Sequence, residues 1–177
     1  AFRHIKRNKG AAGIDGQSLS AFEANLEVEL SCLLLELKEK RYQAQPVRRV
    51  AIAKDDGGER LLGIPTVRDR VVQQALRRII EPIFEPDFHP SSYGYRPRRS
   101  GHHAIGKAEL FIRRYRRDWV VDMDLSKCFD TLNHDLIIRQ FRQRITDGSV
   151  LSLLRQFLES GVMVGYHLEE TELGSPQ

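Results

Sequence analysis

Asp122 and Asp124 stand two residues apart in an otherwise apolar run, WVVDMDL over residues 119–125. Strict alternation predicts a strand, with Trp119, Val121, Met123 and Leu125 on one face and Val120, Asp122 and Asp124 on the other. Anionic charge beside valine and tryptophan is costly to bury unless a cation compensates it. A divalent metal is one such cation, because Mg²⁺ takes one or two carboxylates and fills its shell with phosphate oxygens and water. A strand end with both aspartates solvated, or paired with arginines, satisfies the same pattern. Tyr93, Tyr95, Arg96, Arg98 and Arg99 interleave aromatics with guanidinium groups in a proline-rich loop. Such a loop suits stacking on and clamping nucleic acid, or its tyrosines pin it to a core. Lys54 and Arg60 flank a turn where they could reach a triphosphate or stay solvated. His102 and His103 are adjacent, which suits a helix start better than metal ligation. The sequence contains no GxxxxGK[ST] loop and no GxSxG elbow.

These groups need elements to hold them. Apolar residues at Phe22, Leu26, Leu30, Leu33, Leu34 and Leu37 predict a helix over residues 20–40, with Ser20 and Glu23 as a capping box. A glycine-rich loop, NKGAAGIDGQ, precedes it. VRRVAIA (47–53) and ERLLGI (59–64) flank Asp55-Asp56-Gly57-Gly58 and read as a hairpin. Pro65 and Thr66 open a helix to residue 80, whose polar face carries Arg68, Arg70, Arg77 and Arg78. Pro82, Pro86, Pro90 and Pro97 punctuate a long loop, and a loop of that length inside a compact domain is usually functional. Ser100 can cap a helix over 101–116. Beyond the predicted strand, helices are expected over 133–145 and 149–160, the second closed by Gly161 in a left-handed cap. A final hairpin is expected before GSPQ. The mixture of helices and short hairpins indicates an α+β class.

The 177 residues carry 28 Lys+Arg against 24 Asp+Glu, for a net charge of +4. The balance is regional: residues 1–40 hold six of each sign, 41–117 hold 17 basic against eight acidic, and 118–177 hold five against ten. Arginine supplies 21 of the cations, and its planar group suits bidentate phosphate contact and base stacking. A solvated arginine-rich surface has the same composition. Cys32 and Cys128 form neither a CxxC pair nor a disulfide framework. No apolar run approaches the roughly 20 residues needed to span a bilayer, and the basic start lacks the apolar stretch of a signal peptide. The expectation is therefore a cytoplasmic protein without a membrane partner.

Five ordered blocks resemble the reverse-transcriptase domain of group II intron-encoded proteins: NKGAAGIDG (8–16), ERLLGIPTVRDRVVQQAL (59–76), SSYGYRPRRSGHHAI (91–105), WVVDMDLSKCFDTLNHD (119–135) and ETELGSPQ (170–177). The resemblance covers almost the whole chain and implies a right-hand polymerase fold of reverse-transcriptase type, represented by fingers and the N-terminal part of the palm. Fingers would occupy 1–84, a palm segment with the first catalytic strand 85–131, and a second fingers segment 132–177. It implies an RNA-directed DNA polymerase that adds dNTPs to a DNA primer on an RNA template, and binds group II intron RNA as a maturase in its full-length form.

Carried over residue by residue, the resemblance makes Asp124 a catalytic metal ligand, with the backbone carbonyl of Leu125 beside it. Two Mg²⁺ ions are implied in the full-length enzyme. Phe129 matches the aromatic that stacks under the incoming sugar and excludes a 2′-hydroxyl. Lys54 and Arg60 match cations that hold the triphosphate, the backbone of Lys127 and Cys128 would line the same pocket, and Gln177 would lie next to the nucleotide. Arg68, Arg70, Arg77, Arg78, Tyr93, Tyr95, Arg96, Arg98 and Arg99 would form the RNA-gripping surface. The aromatic-Ala-Asp-Asp turn that supplies further metal ligands is absent from these 177 residues, so they are expected to be an excerpt, inactive alone. Ala53 and Leu61 stand where the family more often has prolines. A non-catalytic intron-RNA-binding module is the alternative, as is a retron, CRISPR-associated or diversity-generating reverse transcriptase. Homodimerisation is left open.

Overall fold

The computed structural model describes every residue except Lys54, Asp56 and Gln177. The chain divides into two compact units, one of residues 1–78 with 127–177 and one of residues 79–126.

The first unit opens with α1 (Phe2–Asn8), α2 (Leu19–Ala24) and α3 (Leu26–Lys38). The single helix expected over 20–40 is thus two. Asn25 (φ −118°, ψ 28°) separates them, and asparagine is a weak helix former because its side chain competes for backbone groups. The expected Ser20 cap is corrected to Ser18, whose Oγ accepts from the Ala21 amide at 3.1 Å, while Glu23 pairs with Lys6 instead. Phe22 is fully buried and stacks on Phe2 at 5.3 Å, and Leu33 is buried, but Leu34 on the same expected stripe is exposed.

β1 (Val47–Ala53) and β2 (Glu59–Ile64) pair antiparallel from Arg48↔Ile64 to Ala53↔Glu59, so the predicted hairpin forms with its predicted bounds. β3 (Val162–Val164) and β4 (His167–Glu169) form the second hairpin. β1 also pairs with β3 in parallel through Val47↔Val162 and Arg48↔Met163, giving the sheet order β2-β1-β3-β4. Parallel neighbours need a long crossover; here more than a hundred residues separate the two strands.

α4 runs from Val67 to Phe84, so the expected stop near residue 80 is extended through Pro82. Its buried stripe of Val67, Val71, Val72 and Leu76 belongs to the core of the first unit. Asp69 on this helix is also buried. It accepts from the Tyr42 hydroxyl at 2.5 Å and from the Gln45 amide at 3.2 Å, fixing the chain that enters β1. Burial pushes the Asp69 carboxyl above the usual carboxylate range and, with Asp69 beside it, raises the Tyr42 phenol as well. α6 (Cys128–Thr131), α7 (His134–Arg142) and α8 (Gly148–Glu159) complete the unit. Asn133 caps α7 through the Leu136 amide at 3.0 Å, and Gly161 follows α8 at φ 79° as expected.

In the second unit a 3₁₀ turn (Glu85–Asp87) precedes the proline-rich loop and α5 (Gly101–Arg113). Ser100 occupies the cap position of α5 without a side-chain bond, so the cap expected there is made by its backbone carbonyl, which accepts from His103 and Ala104. The strand expected over 119–125 is corrected: the segment enters no ladder, and Trp119, Val121 and Met123 are 95%, 79% and 86% exposed. A strand cannot satisfy its own amides, and none of the described strands pairs with this one.

Candidate active site

Phe129 lies in the single turn of α6. Lys127 sits at φ 50°, in the left-handed region that lysine rarely adopts, and turns the chain into α6. Its carbonyl accepts from the Asp130 amide at 3.0 Å and the Thr131 hydroxyl at 3.1 Å, which closes the turn. The segment Leu173–Ser175 folds over the far side. Gly174 (φ 79°) donates to the Leu132 carbonyl at 2.7 Å, and the Ser175 amide donates to the Phe129 carbonyl at 2.8 Å. A Cβ at Gly174 would lie 2.7 Å from the carbonyl oxygens of both Phe129 and Asp130, so glycine alone fits. His134 is 5% exposed, and its Nε2 lies 2.6 Å from the Gly174 carbonyl oxygen. The bridge Asn133↔Leu173 extends this contact. Phe129 itself is 58% exposed. Two distant sequence blocks, 127–135 and 170–176, therefore meet at one turn.

A parallel closure holds the N-terminal block. A Cβ on Gly13 would stand 2.7 Å from the Thr66 backbone, so the loop lies against the start of α4. Arg70 secures it, donating to the Ala11 carbonyl at 2.8 Å, and its guanidinium would have to shift to admit a Cβ at Gly10.

These contacts redistribute the expected RNA-binding arginines. Arg70 is committed to the loop carbonyl, and Arg68 holds both carboxylate oxygens of Glu36 at 2.7 and 2.6 Å. Arg96, with only 8% of its side chain exposed, pairs with Glu85 at 2.8 Å and donates to the His89 and Ser92 carbonyls. These three, expected on an RNA-gripping surface, thus also make contacts that shape the fold. Arg99 donates to the Pro90 carbonyl at 2.7 Å and lies over the Tyr93 ring at 5.5 Å. Tyr95, Arg98, Arg77 and Arg78 are exposed. Arg78 lines an open cleft of about 490 Å³ with Arg3, His4 and Arg7. Arg3, His4 and Arg7 gave no signal in the sequence, because α1 is short and its polar residues are scattered along it.

Arg60 is exposed on β2 opposite Ile52. Lys54 and Gln177 lie outside the described residues. Asp122 and Asp124 lie in the second unit, both exposed, on the unladdered segment. No group of three or more His, Cys, Asp or Glu side chains that could hold a metal occurs among the described residues. The exposed Asp124 carboxylate and the adjacent Leu125 carbonyl are hard oxygen donors and fit Mg²⁺ as part of a ligand set. No helix among the described residues is long and apolar enough to cross a membrane.

The ordered blocks agree with comparisons to known proteins. Residues 52–177 match the model of the reverse transcriptase (RNA-dependent DNA polymerase) family. The whole chain is 44% identical to protein YkfC of Escherichia coli, covering 48% of that protein. It is 35% identical to the group II intron-encoded protein LtrA of Lactococcus lactis, covering 29% of its length. It is also 32% identical to a putative COX1/OXI3 intron 2 protein of Saccharomyces cerevisiae, covering 20%. The chain belongs to the reverse transcriptase family, in its group II intron-encoded branch, and spans about half or less of the length of these relatives.

Proposed function

We propose that this chain forms the fingers and first palm segment of an RNA-directed DNA polymerase of the group II intron type, with fingers over 1–84, palm over 85–131 and a second fingers segment over 132–177. The observation that carries the reading is the Phe129 turn, clamped by Gly174 and Ser175 in a chain that places Asp124 five residues earlier. An aromatic held by its backbone and exposed by its ring suits a platform for a sugar.

In this reading Asp124 and the Leu125 carbonyl would hold magnesium, which when bound supplies charge neutralisation at the reacting phosphate and acidifies the primer hydroxyl. Phe129 lies under the deoxyribose and leaves no room for a 2′-hydroxyl. Arg60 and Lys54 grip the triphosphate, the backbone of Lys127 and Cys128 lines the pocket, and Gln177 borders the nucleotide. Arg77, Arg78, Tyr93, Tyr95, Arg98 and Arg99 face the RNA template and intron RNA, joined by Arg3, His4 and Arg7 of the cationic cleft.

The test is primer extension on an RNA template, with the chain extended past Gln177 to the length of its relatives. Asp124→Ala is expected to abolish Mg²⁺-dependent cDNA synthesis while RNA binding, measured by filter retention, stays nearly unchanged. Undiminished synthesis by this variant would remove Asp124 from the site.

A further inference from the structure

We infer that His134 is a positioning residue for Phe129, acting through the Gly174 carbonyl, so that a residue outside the nucleotide pocket governs the choice between dNTP and rNTP. This inference rests on the polymerase reading above.

A buried polar side chain must find a partner, and His134 has one. Its Nε2 lies 2.6 Å from the Gly174 oxygen, and because a carbonyl only accepts, Nε2 carries the proton. Gly174 is itself buried. Loss of the imidazole leaves its carbonyl without that partner in a place water does not freely reach. The peptide joining Gly174 to Ser175 is therefore held at one end by His134. At the other, the Ser175 amide holds the Phe129 carbonyl at 2.8 Å. Gly174 also fills the space against the Phe129 and Asp130 carbonyls, with no slack for a Cβ. Motion of this peptide passes to the Phe129 backbone through one hydrogen bond and one close contact.

The exposed Phe129 ring makes this link consequential. With 58% of the residue open to solvent, neighbouring side chains do not enclose the ring, so its placement depends on its backbone. A steric filter against one hydroxyl is only as sharp as the position of the group that clashes with it. Asp135, the next residue, is engaged by Arg155, and Asn133 is engaged by the Leu136 amide, while the imidazole between them reaches Gly174.

The test uses the extended chain and the ratio of kcat/KM for dNTP over rNTP, with Phe129→Ala as the reference for a lost filter. His134→Ala is expected to lower the ratio on the order of tenfold, a scale typical of discrimination by a hydroxyl-sized change. His134→Gln keeps a donor at similar reach and should restore the ratio. Where His134→Ala proves too unstable, His134→Met fills the space without a donor and should lower the ratio likewise. A merely structural histidine would depress both nucleotides equally and leave the ratio intact. An unchanged ratio in His134→Ala or His134→Met, beside a lowered one in Phe129→Ala, overturns the inference and leaves the polymerase reading standing. An unchanged ratio in Phe129→Ala overturns it by removing the filter from that ring. Absence of synthesis by the unsubstituted extended chain overturns the polymerase reading and this inference with it.

Discussion

Residues 1–78 with 127–177 bury Phe22, Val67 and Val162 almost completely and join four strands in one sheet, whereas residues 79–126 contain no fully buried residue. The second unit is organised by polar contacts instead. Arg96 gathers Glu85, His89 and Ser92, and its guanidinium lies 5.2 Å from the centre of the Phe88 ring. The contrast teaches where stability lies in this chain, and on what footing each proposed site residue stands. Phe129 is mounted on the apolar unit, whose packing can hold a backbone in a strained turn. Asp124 lies on a segment whose alternating apolar side chains are uncovered.

Paired substitutions test that contrast most strongly. Phe22→Ala is expected to cost about 3–5 kcal/mol, read as a lowered urea midpoint. Trp119→Ala should stay within about 0.5 kcal/mol, as surface changes do. A Trp119→Ala loss as large as that of Phe22→Ala would abolish the distinction between the units. Arg96→Ala should act locally, raising hydrogen exchange over residues 85–99 by an opening cost of about 1–3 kcal/mol. That is less than the loss of a fully buried ion pair, because Glu85 keeps part of its hydration. Uniform exchange across the whole chain would instead mean that the loop is part of the main core.

The smallest effect concerns pH and sharpens the account of the first unit. Because burial raises the folded-state pKa of Asp69, its favourable contribution is complete below its unfolded value of about 4 and is lost as pH rises through the folded value. Unfolding midpoints measured from acid towards neutral pH should show this fall, and Asp69→Asn should remove it. A fall of the same size in Asp69→Asn would assign the titration to another group.

Much of the main unit was legible in the sequence. The hairpin bounds followed from β-rich runs around an Asp/Gly turn, and Gly161 marked the end of α8. Phe129 was legible only as a motif. The residues that hold it, Gly174 and His134, gave no signal of that role, because their partners are about 40 residues away. The break at Asn25 and the commitments of Arg68, Arg70 and Arg96 were equally hidden. Helical periodicity cannot tell a guanidinium facing solvent from one that reaches a carboxylate on another element.

The chain's own residues determined which segments could be helix or hairpin, because those bonds close locally, and the ordered blocks determined the family. Tertiary structure alone decided that β1 lies parallel to β3, that Gly13 and Gly174 admit no side chain, and that residues 119–125 form no ladder. Each depends on groups far apart in sequence. A strand's amides and a glycine's missing Cβ acquire meaning only from the backbone that comes to lie beside them.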